Sequence, residues 1–148
     1  MSDRGRGAVT LYQRFVADLW RDDAPVEALA AELVTPDLVV HQARTDGTPS
    51  EARRGPDALA TLVAESLALF SNVTVTVEAG PVADGDLIAA RWRFTGDYRG
   101  GIPGAGAEPG TRVSFCGHDL FRISGGRFAE YWTSSDGLHL MAQLGLGG

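Results

Sequence analysis

Residues 111–145, TRVSFCGHDLFRISGGRFAEYWTSSDGLHLMAQLG, decide the fold of this chain. Two runs in which apolar and polar residues alternate flank Gly125-Gly126, and a short segment with helical spacing follows them. Alternation is typical of strands with one buried face, and a glycine pair between two such runs is typical of a hairpin turn. The stretch therefore predicts a long strand, a tight turn, a second strand and a terminal helix from Gly137 to Leu144.

An acidic residue, Asp119, interrupts the apolar side of the first predicted strand. A buried carboxylate has to be hydrogen-bonded, paired or protonated, and its desolvation raises its pKa above the usual value. Such a group is suited to general acid or base catalysis at neutral pH. Because side chains alternate along a strand, the predicted inner face holds Val113, Phe115, Asp119, Phe121 and Ile123, and the outer face holds Ser114, Cys116, His118, Leu120 and Arg122.

The sequence leaves the role of Asp119 open. A β-bulge at Gly117 would reverse the two faces and turn His118 inward. Asp119 could also cap a backbone irregularity near Gly117 or pair with an arginine. If Asp119 does face inward, the hairpin brings Tyr131 and Thr133 of the second strand beside it. A carboxylate, a phenol and a hydroxyl would then share one apolar wall.

Three helices are predicted before the strands. Apolar residues at helical spacing indicate an amphipathic helix from about Val9 to Trp20. Asp22-Asp23 is a suitable cap for a second helix, and Gly55-Pro56-Asp57 opens a third. Between the second and third helices, Leu38 to Gln42 is predicted as extended chain and Thr45 to Arg54 as a polar loop.

The spacing of apolar residues changes from helical to alternating after Asn72. This change predicts a strand, a turn at Asp84-Gly85-Asp86, and a second strand from Leu87 to Tyr98 with Trp92 on its apolar side. The segment from Gly96 to Gly110 is rich in glycine and proline and is predicted as a long loop. Helices grouped before an antiparallel meander indicate an α+β fold rather than an alternating parallel sheet.

Length and composition restrict the class of protein. A chain of 148 residues is expected to form a single domain, residues 1–148, with a core large enough to hold a pocket. Its net charge of -6 disfavours nucleic acid and anionic membranes as partners. We expect a cytoplasmic protein, because Cys116 is the only cysteine and no run approaches the ~20 apolar residues of a membrane span.

The histidines do not indicate a metal site. His41, His118 and His139 lack the spacing of a zinc motif, so no metal ligand is predicted. The glycines at 104, 106 and 110 do not have the spacing of a phosphate-binding loop, and a strand follows them instead of a helix.

Several motifs of the chain resemble one known family. G-x-D-x-F-R-I at residues 117–123, G-G-R-F-x-E-x-W at residues 125–132 and D-x-L-x-L-x-x-Q-L-G at residues 136–145 are similar to the carboxy-terminal signature of SnoaL-like polyketide cyclases, within the NTF2-like superfamily. His41 after an apolar run and GGIPG at residues 100–104 also look like that family. The resemblance implies an NTF2-like cone, in which three amino-terminal helices and a short carboxy-terminal helix accompany a strongly curved antiparallel sheet around an apolar pocket.

The resemblance also suggests residues for the site. In related cyclases an acid–base aspartate occupies the position of Thr133, and a histidine occupies that of Asp119. His41 matches a histidine that commonly lines the pocket. We therefore predict Asp119 as the acid or base, with Tyr131 and His41 as donors that orient a substrate oxygen. The predicted substrate-binding residues are His118, Thr133, Asp136, Trp92, Tyr12 and Phe121, although Asp136 is also well placed to cap the last helix.

The implied function is general acid/base chemistry without a cofactor on an apolar, polyketide-like molecule. The reaction would be an aldol-type cyclisation, or a ring opening or isomerisation. The alternatives are a limonene-epoxide-hydrolase-like or dehydratase-like enzyme, or a non-catalytic module that binds a hydrophobic small molecule. Thr133 in place of the family aspartate favours the binding module, whereas the acid at Asp119 favours an enzyme. The resemblance also implies a homodimer or higher homo-oligomer formed through the outer face of the sheet.

Overall fold

A computed structural model describes residues 2–42 and 52–146. The predicted α+β architecture is confirmed: helices cover one face of a curved six-stranded sheet. In chain order the elements are α1 (Asp3–Arg14), a π-helical turn (Phe15–Leu19), α2 (Val26–Leu33), β1 (Val34–Gln42), β2 (Arg53–Arg54), α3 (Pro56–Ala68), β3 (Phe70–Asp84), β4 (Leu87–Tyr98), β5 (Arg112–Ser124), β6 (Arg127–Ser135) and α4 (Gly137–Gln143).

The first helix starts earlier than the sequence predicted. It begins at Asp3 rather than Val9, because the Ser2 side chain accepts a hydrogen bond of 3.0 Å from the Gly5 amide and caps the helix. The π-helical turn then extends the helical segment to the predicted end near Trp20 and buries both of its terminal residues.

Strands β3 to β6 form the predicted antiparallel meander, within a sheet of order β2-β1-β6-β5-β4-β3. Strand β1 differs from the expectation, because it starts at Val34 instead of Leu38 and pairs in parallel with β6. Alternation in a sequence shows that a strand exists, but a strand without a hairpin neighbour has no local signal for its direction. The sheet is therefore antiparallel except for one pair.

The predicted polar loop from Thr45 to Arg54 lies largely outside the described residues. Its last two residues form the short strand β2, which pairs with Val39 and Val40 of β1. A strand of two residues is too short to show alternation, so periodicity does not reveal it.

Two apolar clusters lie on the concave side of the sheet. The larger one packs α1, the π-helical turn and α3 against β4, β5 and β6, with Phe15, Phe121 and Phe128 at its centre. The smaller one joins Phe94 and Phe115 to Leu144, where α4 and the loop after β4 pack on the sheet. Both clusters leave part of the concave face uncovered.

Gly117 makes room for Trp92 rather than forming a bulge. The pairing of β4 with β5 is continuous from Leu87 to Asp97, and it places Gly117 directly opposite Trp92. A Cβ atom at Gly117 would overlap the Trp92 indole ring and the Ser134 carbonyl oxygen. The alternative in which a bulge turns His118 inward is therefore wrong, and the predicted faces of β5 hold.

Candidate active site

A cavity of about 430 Å³ opens on the concave side of the sheet. Strands β4, β5 and β6 form its floor, and the π-helical turn, α3 and α4 form its sides. A cavity of this size suits a small organic molecule. The wall consists of Phe15, Val16, Trp20, Gln42, Leu62, Ser66, Leu69, Phe70, Val75, Trp92, Phe94, Phe115, Asp119, Tyr131, Thr133, Ser134, Ser135, Gly137 and Leu140.

Asp119 is the acidic group of this wall. Its side chain is buried, with 3% of the residue exposed. The Tyr12 hydroxyl donates a hydrogen bond of 2.8 Å to Oδ2, and the Tyr131 hydroxyl donates one of 2.8 Å to Oδ1. Desolvation raises the pKa of Asp119, while hydrogen bonds from Tyr131, Tyr12, Trp92 and Thr133 act in the opposite direction. The carboxyl group is thus held in a fixed orientation in an environment that raises its pKa above the ordinary aspartate value.

The two phenols remain protonated and act as donors. Burial, and after it the negative charge of Asp119, raises the pKa of the Tyr12 phenol. The same two causes, in the same order, raise the pKa of Tyr131. Among residues 2–42 and 52–146, the groups that hydrogen-bond Asp119 are therefore neutral donors and not cations.

Aromatic stacking fixes the Tyr131 ring. Phe121 stacks on Tyr131 with ring centroids 4.2 Å apart and an interplanar angle of 5°, and Phe128 stacks on the other side of Phe121 at 3.8 Å. Phe15 contacts the edges of this stack. Because the ring cannot tilt without disturbing its neighbours, the Tyr131 hydroxyl is directed at Asp119 and the cavity.

The structure brings four of the predicted site residues together on the cavity wall: Asp119, Tyr131, Thr133 and Trp92. Pairing of β5 with β6 places Asp119 opposite Thr133, as the hairpin implied, and pairing of β4 with β5 places Trp92 opposite Gly117. The strand alternation read from the sequence accounts for all four placements.

Tyr12 and Phe121 lie behind the wall. Both are completely buried, and neither lines the cavity. The predicted substrate contacts of Tyr12 and Phe121 are not among the contacts that the cavity wall offers, because the Tyr12 ring packs against Phe15 and Phe121 in the core. Tyr12 nevertheless reaches Asp119 through its hydroxyl.

His41 lies on the opposite face of the sheet from the cavity. Its Nε2 is 2.8 Å from Glu130 Oε2, and its ring stacks on Trp132 at 5.3 Å. The neighbouring Gln42 takes the place on the wall, because β1 pairs with β6 so that Gln42 is opposite Thr133. The prediction that His41 contacts substrate followed the family pattern, which did not fix which face of β1 the histidine occupies.

His118 and Asp136 also lie off the cavity wall. His118 is exposed on the outer face, with Nε2 3.5 Å from Arg91 Nη1. Asp136 is exposed and caps α4, since its Oδ1 accepts a hydrogen bond of 3.1 Å from the His139 amide. The capping alternative for Asp136 is the one that the structure shows.

Sequence reasoning missed much of the apolar lining. Trp20, Phe94, Phe115 and Leu140 stood out as apolar residues of predicted elements, but the pattern that marks a core residue also marks a cavity residue. Ser66 on α3 gave no signal, because it lies within an apolar helical stripe. The periodicity of apolar residues along the sequence does not reveal a space that two packed clusters leave between them.

The described part of the cavity wall carries no positive charge. Among its wall residues within the described ranges, none is Lys, Arg or His. Across residues 2–42 and 52–146, no three His, Cys, Asp or Glu side chains are grouped as a metal site would require.

Within the same ranges no helix is long and apolar enough to cross a bilayer.

Comparison with known proteins agrees with the motifs. The profile of SnoaL-like polyketide cyclases matches residues 10–144. The chain belongs to the SnoaL-like polyketide cyclase family. No curated protein matches the sequence.

Solved structures of SnoaL-like proteins share the fold over nearly the whole chain. A candidate SnoaL-like polyketide cyclase from Jannaschia sp. CCS1 is 21% identical, with a TM-score of 0.83 over 100% of this chain and 98% of its own. IdmH, a candidate polyketide cyclase from Streptomyces antibioticus, is 26% identical, with a TM-score of 0.73 over 98% and 100%. AclR, a candidate hydroxylase from Streptomyces galilaeus, is 22% identical, with a TM-score of 0.73 over 93% and 80%.

Membership of the SnoaL-like family gives the cavity its context. The solved structures include candidate cyclases and a candidate hydroxylase, so the likeness shows the fold and does not fix a reaction. In this SnoaL-like chain the cavity wall holds a buried carboxylate, Asp119, between two tyrosine hydroxyls.

Proposed function

We propose that this SnoaL-like protein is a cofactor-independent enzyme that uses Asp119 as its general acid or base on an apolar, polyketide-like molecule. The observation that carries the proposal is the buried Asp119 carboxyl group, which faces an aromatic cavity and is held by two phenol donors. An ionisable group that is desolvated, fixed and open to a ligand cavity is the arrangement that proton transfer requires.

The reaction that suits this arrangement starts with removal of a proton next to a substrate carbonyl. The Asp119 carboxylate takes the proton, and the electron pair of the broken C–H bond moves to the carbonyl oxygen to form an enolate. Once Asp119 is protonated, it no longer needs the hydrogen bond from Tyr131. The Tyr131 hydroxyl can then donate to the enolate oxygen. The low polarity of the surrounding aromatic wall strengthens that hydrogen bond.

Ring closure then follows within the same cavity. The enolate carbon attacks a second carbonyl of the substrate, which forms a C–C bond and leaves an alkoxide. Asp119 returns its proton to that alkoxide, so the carboxylate is regenerated and no oxidant, reductant or cofactor is consumed. Thr133, beside Asp119 on the neighbouring strand, is placed to hydrogen-bond an oxygen of the substrate.

The electrostatics of the wall support an uncharged substrate. A carboxylate or phosphate on the ligand would lose its hydration and meet Asp119 with no cation among the described wall residues to compensate. Trp20, Trp92, Phe94 and Phe115 offer flat aromatic surfaces for a ring system. We therefore propose that the substrate is uncharged, so that the protein accepts an ester or ketone and rejects the free acid.

A panel of polyketide esters, hydroxylated aromatics and cyclic epoxides, analysed by mass spectrometry, tests the proposal. Wild-type protein is compared with Asp119→Asn and with Asp136→Asn, which makes the same change at an exposed helix cap where asparagine also serves. We expect turnover to fall by at least ~10²-fold in Asp119→Asn and to persist in Asp136→Asn. Equal turnover by the Asp119→Asn variant would exclude Asp119 as the acid or base.

A second candidate function is a module that binds the same molecules without converting them. Thr133 stands where the resemblance places an acid–base aspartate, and this absence favours the second candidate. Members of the panel that raise the melting temperature but are never converted would support it.

A further inference from the structure

The two tyrosines that bind Asp119 occupy different places relative to the cavity. Tyr131 lines the wall and donates to Oδ1. Tyr12 belongs to α1, is completely buried behind the wall, and donates to Oδ2. One hydroxyl is therefore within reach of a ligand, and the other is not.

The Tyr12 hydroxyl is held in place by the core. Its ring packs against Phe15 with centroids 5.8 Å apart and against the edge of Phe121 at 6.1 Å. These neighbours are themselves buried, so the phenol cannot move away from Asp119 without opening the contact between α1 and β5. The hydrogen bond joins residues 107 positions apart and ties the first helix to the carboxyl group.

The described residues that contact Asp119 carry no charge. Tyr12 approaches from α1, Trp92 from β4, and Tyr131 and Thr133 from β6, and all four are neutral donors. When a ligand engages Tyr131 or Thr133, the hydrogen bond from Tyr12 is the one that the ligand cannot displace. It then keeps the carboxylate oriented and partly compensates its lost hydration.

We infer that Tyr12 is a positioning residue that fixes the Asp119 carboxyl group and stabilises its ionised form from behind the cavity wall. This inference rests on the proposed function of Asp119 and replaces a role for Tyr12 in substrate contact. The Tyr131 hydroxyl then donates its hydrogen bond either to Asp119 or to the substrate, whereas the Tyr12 hydroxyl donates to Asp119 throughout the reaction.

The direct test is a titration of the Asp119 carboxyl carbon by nuclear magnetic resonance in protein labelled with ¹³C-aspartate. The Asp119→Asn variant identifies the resonance. Tyr12→Phe is compared with Tyr98→Phe, a matched control in which a buried tyrosine in the other cluster loses a hydrogen bond of 2.9 Å from the Ile102 amide. We expect Tyr12→Phe to move the Asp119 titration to higher pH and Tyr98→Phe to leave it at the wild-type position.

Kinetics on a substrate found with the panel provide a second readout. Tyr12→Phe is expected to lower kcat roughly tenfold with KM within about twofold of wild type, because one hydrogen bond to a charged group is lost and no ligand contact is lost. Tyr131→Phe is expected to change both kcat and KM. The acid limb of the pH–rate profile in Tyr12→Phe is expected to follow the shifted titration.

A second variant protects the test against misfolding of Tyr12→Phe. Genetic incorporation of 3-fluorotyrosine at position 12 keeps the hydroxyl and makes it a stronger donor, so the Asp119 titration is expected to move to lower pH. Unchanged titration in both variants would overturn the inference, as would a KM effect in Tyr12→Phe as large as that in Tyr131→Phe. If the titration shifts as expected but Asp119→Asn remains active, the positioning of Asp119 stands and the proposed function fails.

Discussion

Asp119 and Thr133 face each other across the antiparallel pair of β5 and β6, and both line the cavity. Thr133 occupies the position that the resemblance assigns to an acid–base aspartate. The carboxylate of this protein thus lies one strand away from the family position, while still facing the same cavity.

Thr133→Val should raise the pKa of Asp119. Thr133 lies opposite Asp119 on the neighbouring strand, and its hydroxyl lowers the pKa of Asp119. Valine has nearly the same shape without the donor. The NMR titration of Asp119 is expected to move to higher pH, with little change in stability. Thr95→Val, on the outer face of β4 near Ser114, is the control and should leave that titration unchanged.

Asp119→Asn should become more stable than wild type as the pH rises. The pKa of Asp119 is raised in the folded protein, so over the window above the ordinary aspartate value the folded state keeps a proton that the unfolded chain has released. The stabilisation from this proton is complete below the ordinary pKa and is lost as the pH rises through the raised pKa. Asparagine has no proton to lose. The free energy of unfolding of the variant minus that of wild type should therefore increase as the pH rises.

Urea unfolding of both proteins from about pH 4 to about pH 8 measures this difference, since each pKa unit corresponds to about 1.4 kcal/mol. Asp136→Asn should show no comparable trend. A difference between Asp119→Asn and wild type that does not vary with pH would mean that Asp119 titrates alike in the folded and unfolded states.

Gly117→Ala should destabilise the protein and damage the cavity. The added methyl group would overlap the Trp92 ring and the Ser134 carbonyl oxygen, so either the indole leaves the wall or β5 separates from β6. We expect a loss of about 1–3 kcal/mol in urea unfolding and altered Trp fluorescence. Gly7→Ala is the control: no atom lies within 4 Å of the new Cβ, and helix propensity predicts a gain of up to ~1 kcal/mol.

Gln143 should hold α4 at the side of the cavity. Its Oε1 accepts a hydrogen bond of 2.9 Å from the Ser114 amide, and its Nε2 donates one of 2.8 Å to the Ser114 carbonyl oxygen. Leu140, on the same helix, lines the cavity. Gln143→Ala is expected to lower the free energy of unfolding by about 1–2 kcal/mol. It should also speed hydrogen exchange at the Ser114 amide. Gln13→Ala, at an exposed position of α1, should change neither quantity.

The strand part of the site was predictable from the sequence. Alternation along β5 and β6, together with one glycine-pair turn, is sufficient to place Asp119, Tyr131 and Thr133 side by side, because strand geometry repeats every second residue. Trp92 followed by the same rule on β4. These placements need only local periodicity and one short connection.

The helical part of the site was not predictable in the same way. The hydrogen bond from Tyr12 to Asp119 depends on how α1 lies on the sheet, and that distance is set by packing of side chains far apart in the chain. The face of His41 depends on the register of a parallel pair between β1 and β6, which no turn specifies. The cavity itself is a gap between two clusters, and gaps leave no pattern in a sequence.

Deuterium exchange into an uncharged polycyclic aryl ketone in D2O, followed by mass spectrometry, measures proton transfer by Asp119 without a coupled ring closure. It reports proton abstraction next to a carbonyl without requiring the natural substrate. We predict that wild-type protein and Asp136→Asn accelerate exchange at the carbon beside the carbonyl, and that Asp119→Asn reduces it to the buffer rate. Exchange by Asp119→Asn as fast as by wild type, or exchange by wild type no faster than in buffer, would contradict the account.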